Sequence, residues 1–151
     1  MNKLFCFGAG FTGLQTCEYF NDQNWITSGT TRDTNKKVNS NIELIEYNPN
    51  KGRIYLSESL ANSKILLISI APDKNGDVVL KSNYEDIANA LKTSVERVIY
   101  LSTTAVYGDA NGSTVDEKYK INPQSDRAKG RILAERQWTD LCDKFGVTLN
   151  I

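Results

Sequence analysis

Two stretches of the chain combine residue types and spacings suited to chemistry. Near the N-terminus the apolar run Leu4-Phe5-Cys6-Phe7 leads into Gly8-Ala9-Gly10-Phe11-Thr12-Gly13, a Gly-x-Gly-x-x-Gly spacing. Gly8 permits a tight turn out of a strand, and Gly10 lets the backbone approach a pyrophosphate. Gly13 lets the next helix pack close, with its first N–H groups aimed at the phosphates. Glycines cluster in many loops, but a strand before and a helix after make these six residues a dinucleotide cradle. The second stretch, Tyr100-Leu101-Ser102-Thr103-Thr104-Ala105-Val106-Tyr107-Gly108, gathers hydroxyl side chains where an apolar run ends. Ligands bind at the carboxyl ends of strands in open α/β sheets, so Ser102, a candidate cofactor contact, Thr103 and Thr104 stand where a ligand would lie.

The residues after the second apolar run bear on which dinucleotide is bound. They read Ser28-Gly29-Thr30-Thr31-Arg32-Asp33. An NAD site usually places Asp or Glu at this strand end, to accept from the ribose 2′-OH. Here Thr30 or Thr31 holds that position and Arg32 follows it. A guanidinium flanked by hydroxyls suits a 2′-phosphate, which makes NADP the preferred cofactor. In the alternative, NAD, Asp33 takes the ribose and Arg32 is solvated.

Histidine is absent from the 151 residues, which excludes a Ser-His-Asp triad, a Cys-His pair and a His-ligated zinc. Proton transfer would fall to Tyr, Lys, Asp or Glu. The three cysteines, Cys6, Cys17 and Cys142, lie far apart in apolar patterns and read as reduced core residues, with no metal site expected. Eighteen basic residues balance 18 acidic ones without a basic block, so neither nucleic acid nor an anionic membrane is an expected partner. No apolar run is long enough to span a bilayer and no signal-peptide pattern opens the chain, so a cytoplasmic protein is expected.

The elements that must position these residues follow from periodicity. A nearly continuous apolar run predicts a strand over 2–7 buried on both faces. Leu14, Cys17 and Phe20 recur on one side of a helix over 11–22. Further strands are expected at 25–30, 42–47, 64–70, 97–102 and 147–151, with a short helix around 55–62. Ala71-Pro72 stops the fourth strand, and Asn75-Gly76 marks a turn within 73–79 ahead of a helix over about 83–94. Residues 108–124 read as a long surface loop. The last helix starts at Ser125, an N-cap residue, buries Ala134, Trp138, Leu141, Cys142 and Phe145, and ends at Gly146. Six strands alternating with helices predict an α/β fold, a doubly wound parallel sheet of the Rossmann type in order 3-2-1-4-5-6.

Residues 100–108, followed by Val115-Asp116-Glu117, Asn122-Pro123-Gln124-Ser125 and Ala134-Glu135, resemble the extended short-chain dehydrogenase/reductase superfamily. Its atypical bacterial members, the NAD-dependent epimerase/dehydratase-like and nucleoside-diphosphate-sugar epimerase-like proteins, are the most similar. The resemblance runs from the glycine turn to the sixth strand. It implies that Gly8, Gly10 and Gly13 form the cofactor turn and that Ala71-Pro72 lies along the cofactor ribose. It also implies that Thr103, or its neighbour Thr104, hydrogen-bonds the reacting oxygen. The superfamily's Tyr-x-x-x-Lys pair is missing: aligned on Pro123, Ser125, Ala134 and Glu135, its positions hold Arg127 and Arg131. Arginine has no acceptor atom and keeps its proton at any working pH, so it cannot do the tyrosine's work. Only Tyr47 has a lysine four residues on, Lys51, and that pair brackets Pro49 outside any helix, a coincidence.

Arg127 and Arg131, at i and i+4, either hold an anionic substrate group near Thr103 or form a solvated face in which Arg131 pairs with Glu135. Tyr107 either supports the loop after strand five or is a catalytic hydroxyl. Asp116 and Glu117 are hydrated carboxylates unless a cleft encloses them. The chain ends on Thr148-Leu149-Asn150-Ile151, in a strand after which the superfamily continues into a substrate lobe. Residues 1–151 are thus expected to be the dinucleotide-binding portion of a longer protein, without the substrate-binding lobe. The sixth strand leaves an edge open to homo-oligomer pairing. Two functions follow: the NAD(P)-binding domain of an epimerase, dehydratase or reductase acting on a nucleotide sugar or similar small molecule, inactive in isolation, or a non-catalytic NADP-binding regulatory or sensor module.

Overall fold

A computed structural model describes residues 1–36, 38, 41–52 and 54–151. Six strands form one sheet: β1 (Lys3–Phe7), β2 (Ile26–Thr31), β3 (Ile42–Glu46), β4 (Ile65–Ile68), β5 (Arg97–Tyr100) and β6 (Thr148–Asn150). Every pairing is parallel, and the order is β3-β2-β1-β4-β5-β6, as the alternation of strands and helices predicts. Phe5 faces Ser28 on one side and Leu66 on the other, which sets β1 at the centre.

The helices are α1 (Phe11–Asp22), α2 (Ser57–Leu60), α3 (Val78–Thr93) and α4 (Asp126–Phe145). Alternation along β1 divides the core between the two faces of the sheet. Phe5 and Phe7 join Leu66, Ile68, Ile87, Val98, Tyr100 and Trp138 in the larger cluster, shared with α3 and α4. Leu4 and Cys6 join Cys17 of α1 and Leu67 in the smaller one. The three cysteines are buried and free. Among the described residues no helix is long and apolar enough to cross a membrane.

α4 follows its sequence signals closely. Ser125 caps it by accepting from Ala128 N at 3.1 Å, and Gly146 ends it at φ 67° in the left-handed region. Strand ends are less legible: β4 and β5 stop two residues before positions 70 and 102, and β2 is shifted one residue onward.

α3 differs most from expectation, beginning at Val78 rather than near residue 83. The cause is Asp77, buried in the turn, whose Oδ1 accepts from Val79 N at 2.9 Å and Leu80 N at 2.8 Å. That N-cap extends the helix back over Val78-Val79-Leu80, all buried. The expected start survives as a kink at Asn83 (φ −130°), whose amide nitrogen leaves for Ile54 O at 2.6 Å and Asp86 Oδ2 at 3.1 Å. Residues 108–124 carry no regular element, but a 3-10 turn over Thr104–Tyr107 precedes them.

Candidate functional site

The carboxyl ends of β1, β2 and β4 open onto a cleft of about 600 Å³, within the range of small-molecule and cofactor sites. Gly8, Ala9, Gly10, Thr31, Arg32, Ala71 and Pro72 line it, together with Asp33, Lys36, Tyr47, Asn48 and Asp73. The glycine turn is fixed by sterics. Gly8 has φ +97°, and a Cβ there would sit 2.8 Å from Ile70 Cγ1. A Cβ on Gly13 would sit 2.3 Å from Gly8 O and 2.8 Å from Cys6 Sγ, so α1 packs this closely only on glycine. At Gly10 a Cβ would meet no heavy atom within 4 Å. α1 begins beside that open space with no side-chain cap on its first N–H groups.

Thr30 holds the turn in place: its Oγ1 accepts from Gly8 N at 2.9 Å and its carbonyl from Ala9 N at 2.7 Å. Of the two threonines weighed for the ribose position, only Thr31 lines the cleft without bonding the glycine turn. Thr31 Oγ1 donates to Asp33 O at 3.1 Å and accepts from Asp33 N at 3.2 Å. Asp33 Oδ1 accepts from Asn35 N at 3.0 Å, so this carboxylate helps close the turn after β2. Arg32 is exposed on the same turn, and Lys36 Nζ reaches the glycine turn, donating to Ala9 O at 3.3 Å.

Tyr47 walls the cleft with its ring and turns its hydroxyl inward to Ser82 Oγ at 2.5 Å and Asn83 Oδ1 at 3.1 Å. Burial raises its pKa, with the Ser82 bond opposing. Phe11 and Thr12 are exposed outside the cleft lining, and Gly13 is packed beneath it.

The end of β5 forms a separate constellation. Ser102 donates a short hydrogen bond to Glu135 and does not line the cleft. Thr103 and Thr104 are exposed, and Thr103 Oγ1 accepts from Ala105 N at 3.3 Å, capping the 3-10 turn. Tyr107 stacks edge-on against Tyr119 with centroids 6.2 Å apart, in the loop-supporting position.

The two arginines do not share an environment. Arg127 is exposed in the first turn of α4. Arg131 is only 8% exposed and donates from Nη1 to Tyr100 OH at 3.1 Å and Leu101 O at 2.8 Å. Its guanidinium lies 5.5 Å over the Tyr100 ring. The expected solvated pair of Arg131 with Glu135 is therefore corrected: Glu135 takes Ser102, and Arg131 ties α4 to β5. A joint anion grip with Arg127 is also at odds with this burial.

Burial pushes the Tyr100 phenol up to about 12, against the pull of Arg131. Burial likewise raises Asp77, which backbone donors of α3, the Trp138 indole and Arg131 oppose. Tyr100 is 1% exposed, so its phenol is closed off from any molecule in solution. α4 still crosses close to the cleft wall: a Cβ on Gly130 would sit 2.2 Å from Asp73 O.

Lys36, Tyr47, Asn48 and Asp73 were not singled out in the sequence. Lys36 carried one signal, a cation four residues after Arg32. Tyr47 drew notice only through its coincidental lysine.

No protein-family profile matches the chain. It is 28% identical over 144 residues to Protein YeeZ of Escherichia coli (strain K12), a match covering 89% of this chain and 52% of that protein. The chain thus spans about half the length of the curated relatives it matches. Among solved structures, a conserved protein of unknown function from Silicibacter pomeroyi DSS shares 35% identity and a TM-score of 0.79, over 93% of this chain and 50% of that one. UDP-glucuronic acid 4-epimerase from Bacillus cereus, solved in complex with NAD, shares 18% identity and a TM-score of 0.75, over 97% and 53% respectively. A UDP-galactose 4-epimerase superposes with a TM-score of 0.72 at 19% identity, over 97% of this chain and 54% of that one. The fold is that of about half of these epimerase chains, a Rossmann-type portion.

Proposed function

We propose that the chain is the NADP-binding domain of an epimerase-, dehydratase- or reductase-type protein acting on a nucleotide sugar or similar small molecule. The observation that carries this reading is the glycine turn: sterically obligatory at Gly8 and Gly13, open at Gly10, and facing a cofactor-sized cleft. The residues fit a dinucleotide. The uncapped backbone N–H groups in the first turn of α1 would hold the pyrophosphate. Arg32 would meet a 2′-phosphate, and Ala71-Pro72 would lie along the ribose. Arg32, exposed on the turn that follows Thr31, supports NADP over NAD.

A bound nicotinamide would supply hydride exchange. The chain's own contribution beside it would be the exposed Thr103 and Thr104 hydroxyls, oriented by the 3-10 turn toward a substrate oxygen. A substrate lobe would come from a longer polypeptide. One observation favours a second reading, a non-catalytic NADP-binding sensor. At the position of the superfamily's lysine, Arg131 is spent on β5, and no phenol stands at Arg127.

Titration of the chain with NADPH, followed by the change in dinucleotide fluorescence, is expected to saturate below millimolar concentration, with NADH weaker. Absence of binding at millimolar NADPH defeats both readings, and NADH binding as tightly as NADPH removes the NADP preference.

A further inference from the structure

The pattern Asp-x-Asn-Gly occurs twice in the chain, at Asp73-Lys74-Asn75-Gly76 and at Asp109-Ala110-Asn111-Gly112. In both copies the aspartate closes the same local turn: Asp73 Oδ1 accepts from Asn75 N and Asp109 Oδ1 from Asn111 N, each at 2.7 Å. Both asparagines are exposed, and both glycines have positive φ, +100° at Gly76 and +79° at Gly112. An asparagine followed by glycine is open to attack on its own side-chain amide. The next backbone nitrogen can close a cyclic imide, and glycine has no Cβ to obstruct the approach. By sequence alone the two copies are equally exposed to this chemistry.

The fold separates them. The nitrogen that would attack Asn75 is Gly76 N, which donates to Asp73 O at 3.2 Å, while Asp73 N donates to Gly76 O at 3.0 Å. Gly76 is also buried against α4. A Cβ there would sit 2.2 Å from Gln137 Oε1, and the same oxygen accepts from Asp77 N at 2.7 Å. Bringing Gly76 N onto the Asn75 amide would require this peptide to leave its hydrogen bond and its seat on Gln137. Among the described residues no acceptor takes Gly112 N. Gly112 is exposed, and a Cβ there would meet no heavy atom within 4 Å. The bonds that close its turn, from Asn111 N to Asp109 Oδ1 and from Ser113 N to Ala110 O at 3.0 Å, leave the attacking nitrogen unengaged.

We propose that Asn111 is a site of spontaneous deamidation, and that docking of the 73–76 turn on α4 protects Asn75 from the same reaction. The Gly112 nitrogen gives up its proton and bonds to the side-chain carbonyl carbon of Asn111. The amide C–N bond breaks, and its nitrogen leaves with that proton as ammonia. Water, the one co-reactant, then opens the imide at either carbonyl, leaving aspartate or isoaspartate at position 111. Nothing is oxidised or reduced. Each product carries a carboxylate in place of a neutral amide, and isoaspartate also lengthens the backbone by one methylene within the turn.

The test incubates the chain at mildly alkaline pH, folded and in parallel unfolded in guanidinium chloride. Peptides covering both pairs are quantified by mass spectrometry, with isoaspartate identified against synthetic standards. In the folded chain Asn111 is expected to convert at least about tenfold faster than Asn75, the factor that loss of an engaged hydrogen bond sets. In the unfolded chain the two rates are expected to converge. The formal net charge is 0, so the added carboxylate moves the product to an acidic band in isoelectric focusing. Asn111→Gln is expected to remove that band from the folded protein. Absence of conversion at Asn111, or folded-state rates at Asn75 that equal or exceed it, overturns the proposal. A difference of the same size in the unfolded chain does so too, because it would assign the contrast to neighbouring residues instead of the fold. An acidic band undiminished in Asn111→Gln also overturns it.

Discussion

At the scale of single residues, the three glycines of the turn have separable duties. Gly13 is a packing residue, because a Cβ there would lie 2.3 Å from the Gly8 carbonyl, backbone against backbone. Gly10 faces open space, with no heavy atom within 4 Å of a Cβ and an ordinary φ of −78°. Two substitutions should part accordingly. Gly13→Ala is expected to cost about 1–3 kcal/mol of stability by forcing α1 off the sheet, as overpacking does. Gly10→Ala is expected to stay within about 0.5 kcal/mol of wild type in thermal unfolding, while NADPH binding weakens because the methyl fills the cradle. If Gly10→Ala binds NADPH normally, the pyrophosphate does not sit where the turn implies.

At the scale of elements, the β5–α4 junction is held by a structural pair. Arg131 and Tyr100 come from different elements and meet at 3.1 Å, with the phenol buried and its pKa up at about 12. Burial favours the neutral phenol in the folded state, so the folded protein binds this proton more tightly than the unfolded chain does. The resulting stability is fully present below the unfolded tyrosine range and is lost as pH rises from there through about 12. Stability measured by denaturant titration should fall over that alkaline window, with a shallower slope in Tyr100→Phe. An identical slope would show that Tyr100 contributes nothing to it. α3 carries the complementary lesson: one buried carboxylate, Asp77, moves a helix start by five residues relative to the position the sequence pattern gives.

At the scale of the whole molecule, the lining residues of the cleft all fall between Gly8 and Val78. The strand-five hydroxyls and both arginines of α4 lie outside that lining. Binding should therefore be dominated by the adenosine half of a dinucleotide. Adenosine 2′,5′-bisphosphate is expected to displace NADPH competitively from the chain, and nicotinamide mononucleotide to leave it bound. Displacement by the nicotinamide fragment alone would shift the site toward β5. The sheet order places the crossing from β1 to β4 beside the glycine turn, the switch point at which open α/β sheets bind ligands.

What the sequence by itself determined is local or periodic. Continuous apolar runs identified buried strands, and their alternation with helices implied the order β3-β2-β1-β4-β5-β6. Ser125 and Gly146 bounded α4 because caps act within one helical turn. The glycine spacing marked the turn between β1 and α1, where Gly13 packs against the Gly8 carbonyl five residues away. The absence of histidine and of Tyr-x-x-x-Lys limited the available chemistry before any coordinates. Tertiary structure decided the rest, since it depends on contacts between distant positions. Arg131 reads as a surface charge until β5 supplies Tyr100 OH and Leu101 O. Asp77 reads as part of a turn until packing buries it over α3. Lys36 reads as one lysine among several until its ammonium arrives at Ala9, 27 residues away. Side-chain charge is written in the sequence, but the burial and partners that give it a role are set only when the strands and helices close around it.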